Sequence, residues 1–166
     1  MEIKSQFKTR SGEMVGYIYM EGFDPMEGLE GKILQAVHGF CFYKDKLVVV
    51  YANDKGYWTF PGGDIEKGET YEQAVVREVH EESNMKVLHQ QLIGYIDVYE
   101  KDRIIRQTRS FCIVEPYGEF VSDPDVDITE IKLVDPKDYG QYVKWGEIGD
   151  HIVKRATEMS KEYILI

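Results

Sequence analysis

Between Thr70 and Ser83 the chain encodes a helix whose acidic residues lie on the side that should be apolar. Thr70 is a good N-cap, and Gln73 three residues later completes a capping box. Asn84 stands where a left-handed residue would stop the helix. At about 100° per residue, Tyr71, Ala74, Val75 and Val79 share one side. Glu78, Glu81 and Glu82 fall in the same half, on an arc roughly 100° wide. A solvated acidic face would lie opposite the apolar stripe. Here the acids border it, so the helix must pack on something while keeping three carboxylates at the edge of the contact. Glu78 and Glu82, one turn apart, repel even when exposed. Partial burial raises that cost unless protons or cations neutralise the group. A hard divalent cation meets the need, because it takes carboxylate oxygens and keeps waters for a phosphate.

Strand patterns surround this helix. Ile3 to Lys8 and Met14 to Met20 flank Thr9-Arg10-Ser11-Gly12-Glu13 and read as a β-hairpin. Glu21 to Gly31, with Pro25, reads as a linker or irregular connection. Ile33 to Tyr43 and Leu47 to Ala52 form a second hairpin around Lys44-Asp45-Lys46. Tyr57 to Phe60 is a short strand ended by Pro61-Gly62-Gly63. After the helix, Lys86 to Tyr99 and Ile104 to Glu115 read as a long strand pair. Ile128 to Val134 is another strand, Asp135-Pro136-Lys137-Asp138 a turn, and Glu147 to Tyr163 the last helix. The order of elements predicts an α/β (α+β) domain over residues 32–166, with residues 1–31 as an N-terminal hairpin extension and linker. The exposed edges of that hairpin predict a homodimer.

The 166 residues suit one domain with a real core. A net charge of −10 argues against a duplex nucleic-acid partner, which needs a basic face. It leaves room for a phosphorylated small molecule carried on cations. No apolar run is long enough to cross a bilayer, and no secretory leader is visible, so a cytoplasmic location is the default expectation. Cys41 and Cys112 read as small buried hydrophobes, since no Cys-x-x-Cys pair exists.

Upstream of the helix, Phe60-Pro61-Gly62-Gly63 places two glycines where backbone can approach a ligand closely. Gly68-Glu69 delivers one more acid. The whole stretch, Gly63, Glu69, Arg77-Glu78-Val79, Glu81-Glu82, Asn84-Met85, resembles the Nudix box. The family places Gly where this chain has Asn84 and an aliphatic residue where it has Met85; every charged position matches. Asn tolerates a positive φ nearly as well as Gly.

The resemblance implies an α/β/α sandwich with a mixed sheet. It implies hydrolysis of a nucleoside diphosphate linked to another group. Glu78, Glu81 and Glu82 would bind Mg²⁺ or Mn²⁺, with a backbone carbonyl at Gly62 or Gly63. Glu69 and Arg77 would brace the loop against the helix. Glu81, Glu82, or the later Glu115 or Glu119, would take the proton from water. Tyr57, Trp58, Phe40, Tyr95 and Tyr99 are candidates to stack on a base, and Arg103, Arg106 and Arg109 to contact phosphates. Alternation puts Arg103 and Arg109 on one strand face and Arg106 on the other. The preferred substrate is a nucleoside triphosphate, oxidised or not, cleaved to monophosphate and pyrophosphate. ADP-ribose, a nucleotide sugar and a dinucleoside polyphosphate stay open, as does a non-catalytic nucleotide-sensing module. The motif Asp123-x-Asp125-x-Asp127 echoes a calcium loop but lacks its Gly and closing acid, and reads as a surface loop.

Overall fold

A computed structural model describes residues 1–9, 11–120 and 127–164. Arg10, Asp123 and Asp125 therefore lie outside the described residues. The strands are β1 (Glu2–Lys8), β2 (Met14–Glu21), β3 (Lys32–Tyr43), β4 (Lys46–Ala52), β5 (Tyr57–Thr59), β6 (Gly62–Asp64), β7 (Met85–Tyr99), β8 (Ile104–Pro116) and β9 (Ile128–Val134). The helices are α1 (Tyr71–Ser83) and α2 (Gly146–Ile164), with a 3₁₀ turn at Pro136–Gln141.

Among the described residues the strands form one mixed sheet in the order β1-β2-β7-β8-β3-β4-β5. β3 and β8 run parallel at its centre, and their neighbours pair antiparallel. β4 stays beside β3 only at Phe42 and Tyr43, then turns away to pair with β9. The opening is filled by β6, which pairs with β3 from Ala36 to His38. β6 is a strand where the glycines suggested only an ending. A Cβ at Gly62 would stand 2.2 Å from the Val37 carbonyl oxygen, so this close approach requires glycine.

Alternation along the strands separates two cores. Phe40, Phe42, Leu47, Phe111 and Ile96 pack under α2 on one face. Val37, Cys41, Val48, Val50, Cys112 and Val114 pack under α1 on the other. This is the α/β/α arrangement, and each enclosed aliphatic or aromatic side chain contributes about 1.5–3 kcal/mol. Cys41 and Cys112 are register partners and free buried thiols.

The N-terminal hairpin is continuous with this sheet. β2 pairs with β7 from Gly16 to Glu21, and Val15 and Tyr19 are buried in the α2-side core. The connection after it is pinned by Arg106, which donates to the carbonyls of Pro25 and Glu27, both at 2.6 Å. Among the described residues no helix is long and apolar enough to cross a membrane.

Candidate active site

Local signals fix α1 in place. The Thr70 hydroxyl accepts from Gln73 N–H at 3.1 Å, and the Gln73 side chain accepts from Thr70 N–H at 2.9 Å. Asn84 closes the helix at φ 53°, and its side chain donates to the Glu119 carbonyl at 2.8 Å. With both ends set, the buried Ala74, Val75 and Val79 dock on the sheet, and the acidic border faces the strand-β6 edge.

Arg77 is the hub of that border. Its Nε donates to Glu69 Oε2 at 2.8 Å and its Nη2 to Glu69 Oε1 at 2.9 Å. Nη2 also donates to the Asp64 carbonyl at 2.9 Å. Nη1 donates to Glu78 Oε1 at 2.8 Å and to Glu81 Oε2 at 3.2 Å. The Arg77 guanidinium holds the Glu69 carboxyl below its ordinary range, and Glu69 in turn pushes Arg77 upward. Glu82 Oε1 accepts from the Gly62 N–H at 2.8 Å. Glu78 lies against Gly63, where a Cβ would stand 2.6 Å from its Oε1.

In donor type these groups suit a hard divalent cation. Glu78, Glu81 and Glu82 offer only oxygen donors, and the missing Cβ of Gly63 leaves the cradle in which Glu78 sits. Oxygens of Glu78 and Glu81 already share one positive centre, Arg77 Nη1. Among the described residues no three Asp, Glu, His or Cys side chains converge on a single point, so the acids are gathered at one edge rather than closed into a cage.

A cleft of ≈1080 Å³ opens from this edge. Glu78, Glu81, Glu82, Arg77 and Gly63 line it. Tyr57, 49% exposed, lines it too. His38, whose ring lies against Gly62, lines it as well, with Gln107, Arg109, Trp145 and the start of α2. Ser5, Phe7 and Tyr17 of the N-terminal hairpin complete the wall.

Several sequence candidates lie elsewhere. Phe40 is fully enclosed, 4.3 Å from the Phe60 ring centroid, and offers no surface to a base; its strand alternation points it into the core. Tyr95 is buried beneath the Arg106 guanidinium, 3.9 Å away, and likewise offers no surface to a base. Trp58 packs between Tyr51 and Tyr142, outside the cleft lining. Arg106 is paired with Asp97, and Arg103 with Glu100 at the turn. Glu115 and Glu119 do not line the cleft. His38, Gln107 and Trp145 were not singled out from sequence. The i, i+2 spacing of Gln107 and Arg109 was the available signal for one of them.

The NUDIX domain family model matches residues 34–156. "Uncharacterized Nudix hydrolase YvcI" of Bacillus subtilis (strain 168) is 31% identical over 85 residues, covering 49% of this chain and 54% of that protein. "Putative 8-oxo-dGTP diphosphatase YtkD" of the same organism is 33% identical over 75 residues, covering 45% and 47%. The chain thus matches about half the length of these curated relatives. A mutant of the Bacillus subtilis pyrophosphohydrolase BsRppH has a similar structure, with TM-score 0.65, 21% identity and 96% of both chains covered. A MutT protein from Bacillus halodurans follows with TM-score 0.58 and 19% identity, covering 75% of this chain and 82% of that one. A match running from β3 into α2 settles the family: this chain belongs to the NUDIX domain family.

Proposed function

We propose that this protein is a metal-dependent pyrophosphohydrolase that cleaves a nucleoside triphosphate to a monophosphate and pyrophosphate. The observation that carries the reading is the gathering of Glu78, Glu81 and Glu82 around Arg77 and Gly62-Gly63 in the wall of a nucleotide-sized cleft. The relative named for 8-oxo-dGTP supports a triphosphate, ordinary or oxidised, over ADP-ribose or a dinucleoside polyphosphate.

Glu78, Glu81 and Glu82, with the Gly63 carbonyl, would hold Mg²⁺ or Mn²⁺. Bound there, the ion would neutralise the phosphate oxygens and lower the pKa of a coordinated water. The protein's own groups do the rest. Glu69 and Arg77 fix the loop from Gly63 to Glu69 against α1. The Gly62 N–H orients Glu82. A box carboxylate accepts the proton as the water oxygen bonds to phosphorus and the bond to pyrophosphate breaks. The open outer edge of β1 suits pairing with a second copy, so a homodimer is part of the proposal; a monomer by sedimentation at micromolar concentration would remove it.

The test is hydrolysis of a panel of triphosphates, 8-oxo-dGTP, ADP-ribose and dinucleoside polyphosphates with Mg²⁺ and Mn²⁺. Metal-dependent release of pyrophosphate from triphosphates is expected. Glu82→Gln keeps an acceptor for the Gly62 N–H, so it should fold normally and lose about 100-fold or more in rate. Near-normal turnover in that variant would overturn the assignment.

A further inference from the structure

Among the described residues β1 is the outermost strand of its side of the sheet and pairs on one edge only, with β2. The direction of its backbone groups follows from that pairing. Glu21 N–H donates to the Met1 carbonyl at 2.9 Å, and Thr9 N–H to the Glu13 carbonyl at 2.8 Å. Met1 and Thr9 thus turn their bonds toward β2. The register between them runs from Glu2–Met20 to Lys8–Met14 without a shift. Bonding direction alternates along a strand, so Ile3, Ser5 and Phe7 also bond inward. Glu2, Lys4, Gln6 and Lys8 turn their N–H and C=O outward, along the open edge.

Edge strands are commonly blunted by proline, bulges or charges. β1 has no proline and no bulge. Its charges oppose most partners but not a second copy of itself. Two β1 strands paired antiparallel about an axis at Ser5 set Glu2 opposite Lys8 and Lys4 opposite Gln6. Every outward-bonding residue then exchanges both of its bonds, and unlike charges face each other. Sliding the pair by one residue sets outward-bonding residues against inward-bonding ones. Sliding it by two sets Lys4 against a second Lys4 or against Lys8, and leaves Lys8 or Glu2 unpaired. The side chains agree. Glu2, Lys4, Gln6 and Lys8 are all exposed. Ile3 packs on the α2-side core, and Phe7 lies 5.2 Å from the Tyr17 ring on the same face. In this register Ile3 meets Phe7, which is 43% exposed in one chain and lines the cleft.

We infer that β1 pairs with β1 of a second copy in this register, so that one sheet runs through both molecules and the partner's Ile3 joins the cleft wall beside Phe7. This rests on the homodimer proposed above and names its interface; it does not depend on the chemistry in the cleft.

The first test is Ser5→Cys. The two new thiols would meet on the axis as a non-hydrogen-bonded pair with Cα atoms about 4.5 Å apart, inside the range of a disulfide. Oxidation with diamide should link this variant into a covalent dimer on a non-reducing gel. The native Cys41 and Cys112 are buried and should not contribute. Lys4→Cys is the control, because its thiol would face Gln6 and should not be linked. Equal linkage of both variants, or linkage of neither, would overturn the register.

The second test uses charge. Glu2→Lys and Lys8→Glu each turn two symmetric unlike pairs into like pairs, and each should weaken the dimer about tenfold or more. Mixed in equal amounts, the two variants should recover the wild-type affinity as a heterodimer, since every facing pair is then unlike. Sedimentation over a dilution series at low salt reads both effects. A mixture as weak as its components would overturn the inference. A wild-type dimer that neither substitution weakens would remove this interface and keep the homodimer. A wild-type monomer at micromolar concentration would remove both, and hydrolysis of the triphosphate panel would stand or fall separately.

Discussion

Arg77 holds Glu69 through two parallel hydrogen bonds, at 2.8 and 2.9 Å, while its third nitrogen bridges Glu78 and Glu81. One side chain thus ties the loop after β6 to the acidic border of α1. Lysine would keep the charge and lose the fork. Arg77→Lys should cost about 1.5–3 kcal/mol of stability, the range for hydrogen bonds to charged groups. Urea unfolding would read this as a lower midpoint. An unchanged midpoint would mean that the bridge adds nothing beyond what water supplies.

The bounds of α1 were legible because their signals are local: a capping pair at Thr70 and Gln73 and a left-handed stop at Asn84. The long β7–β8 pair was legible from its runs of β-branched and aromatic residues. The parallel pairing of β3 with β8 was not, because no neighbouring residues encode a contact between strands some seventy positions apart. β6 escaped because two glycines and an aspartate carry no strand pattern. Among the site residues, the box acids were legible as a group since one helix turn brings them together. Phe40 and Tyr95 were misplaced because a strand residue's face is set by what covers it. Alternation separated Arg106 from Arg109, but only the tertiary fold shows that Asp97 serves one and that, among the described residues, no ion pair serves the other.

Asp97 should be the acid-sensitive point where the connection after the N-terminal hairpin meets the sheet. It accepts from Arg106 at 2.7 and 3.0 Å and from Lys32 at 2.8 Å. Burial pushes its carboxyl up, but the bonds from Arg106 and Lys32 outweigh burial and hold it below the ordinary 3.8. A depressed folded value means that its contribution is complete above pH 3.8 and is lost as pH falls through the lower folded value. Asp97→Asn should cost about 3–5 kcal/mol near neutral pH, because it strands a buried arginine. It should also flatten the fall in stability below that pH. Thermal melts of both proteins from pH 2 to 7 would check it; parallel curves would refute the linkage.

Asn84 occupies a left-handed position at φ 53° and donates to the Glu119 carbonyl. Glycine would relieve the backbone and lose that bond, so Asn84→Gly should fall within about 1 kcal/mol of the parent. Asn84→Ala keeps the strain and loses the bond, and should cost about 1–2 kcal/mol. Chemical denaturation of the pair would show the order. A more stable alanine variant would mean that the bond to Glu119 and the backbone strain are both negligible.

Two adjacent glycines should fail in different ways when changed to alanine. At Gly62 the new Cβ would stand 2.2 Å from the Val37 carbonyl, which is backbone in the centre of the sheet and cannot move aside. Gly62→Ala should therefore unfold β6 or cost several kcal/mol, about the scale of severe overpacking. At Gly63 the obstacle is the Glu78 carboxylate, 2.6 Å away, which is the end of a flexible side chain. Gly63→Ala should fold, with Glu78 displaced from its cradle, and should bind Mn²⁺ at least about tenfold more weakly, a loss of about 1.4 kcal/mol. The two effects are read separately, by thermal melting and by Mn²⁺ titration. If Gly63→Ala binds Mn²⁺ as the parent does, then Glu78 does not hold the ion from the position it occupies beside Gly63. The carboxylates of the metal site would then be those of Glu81 and Glu82.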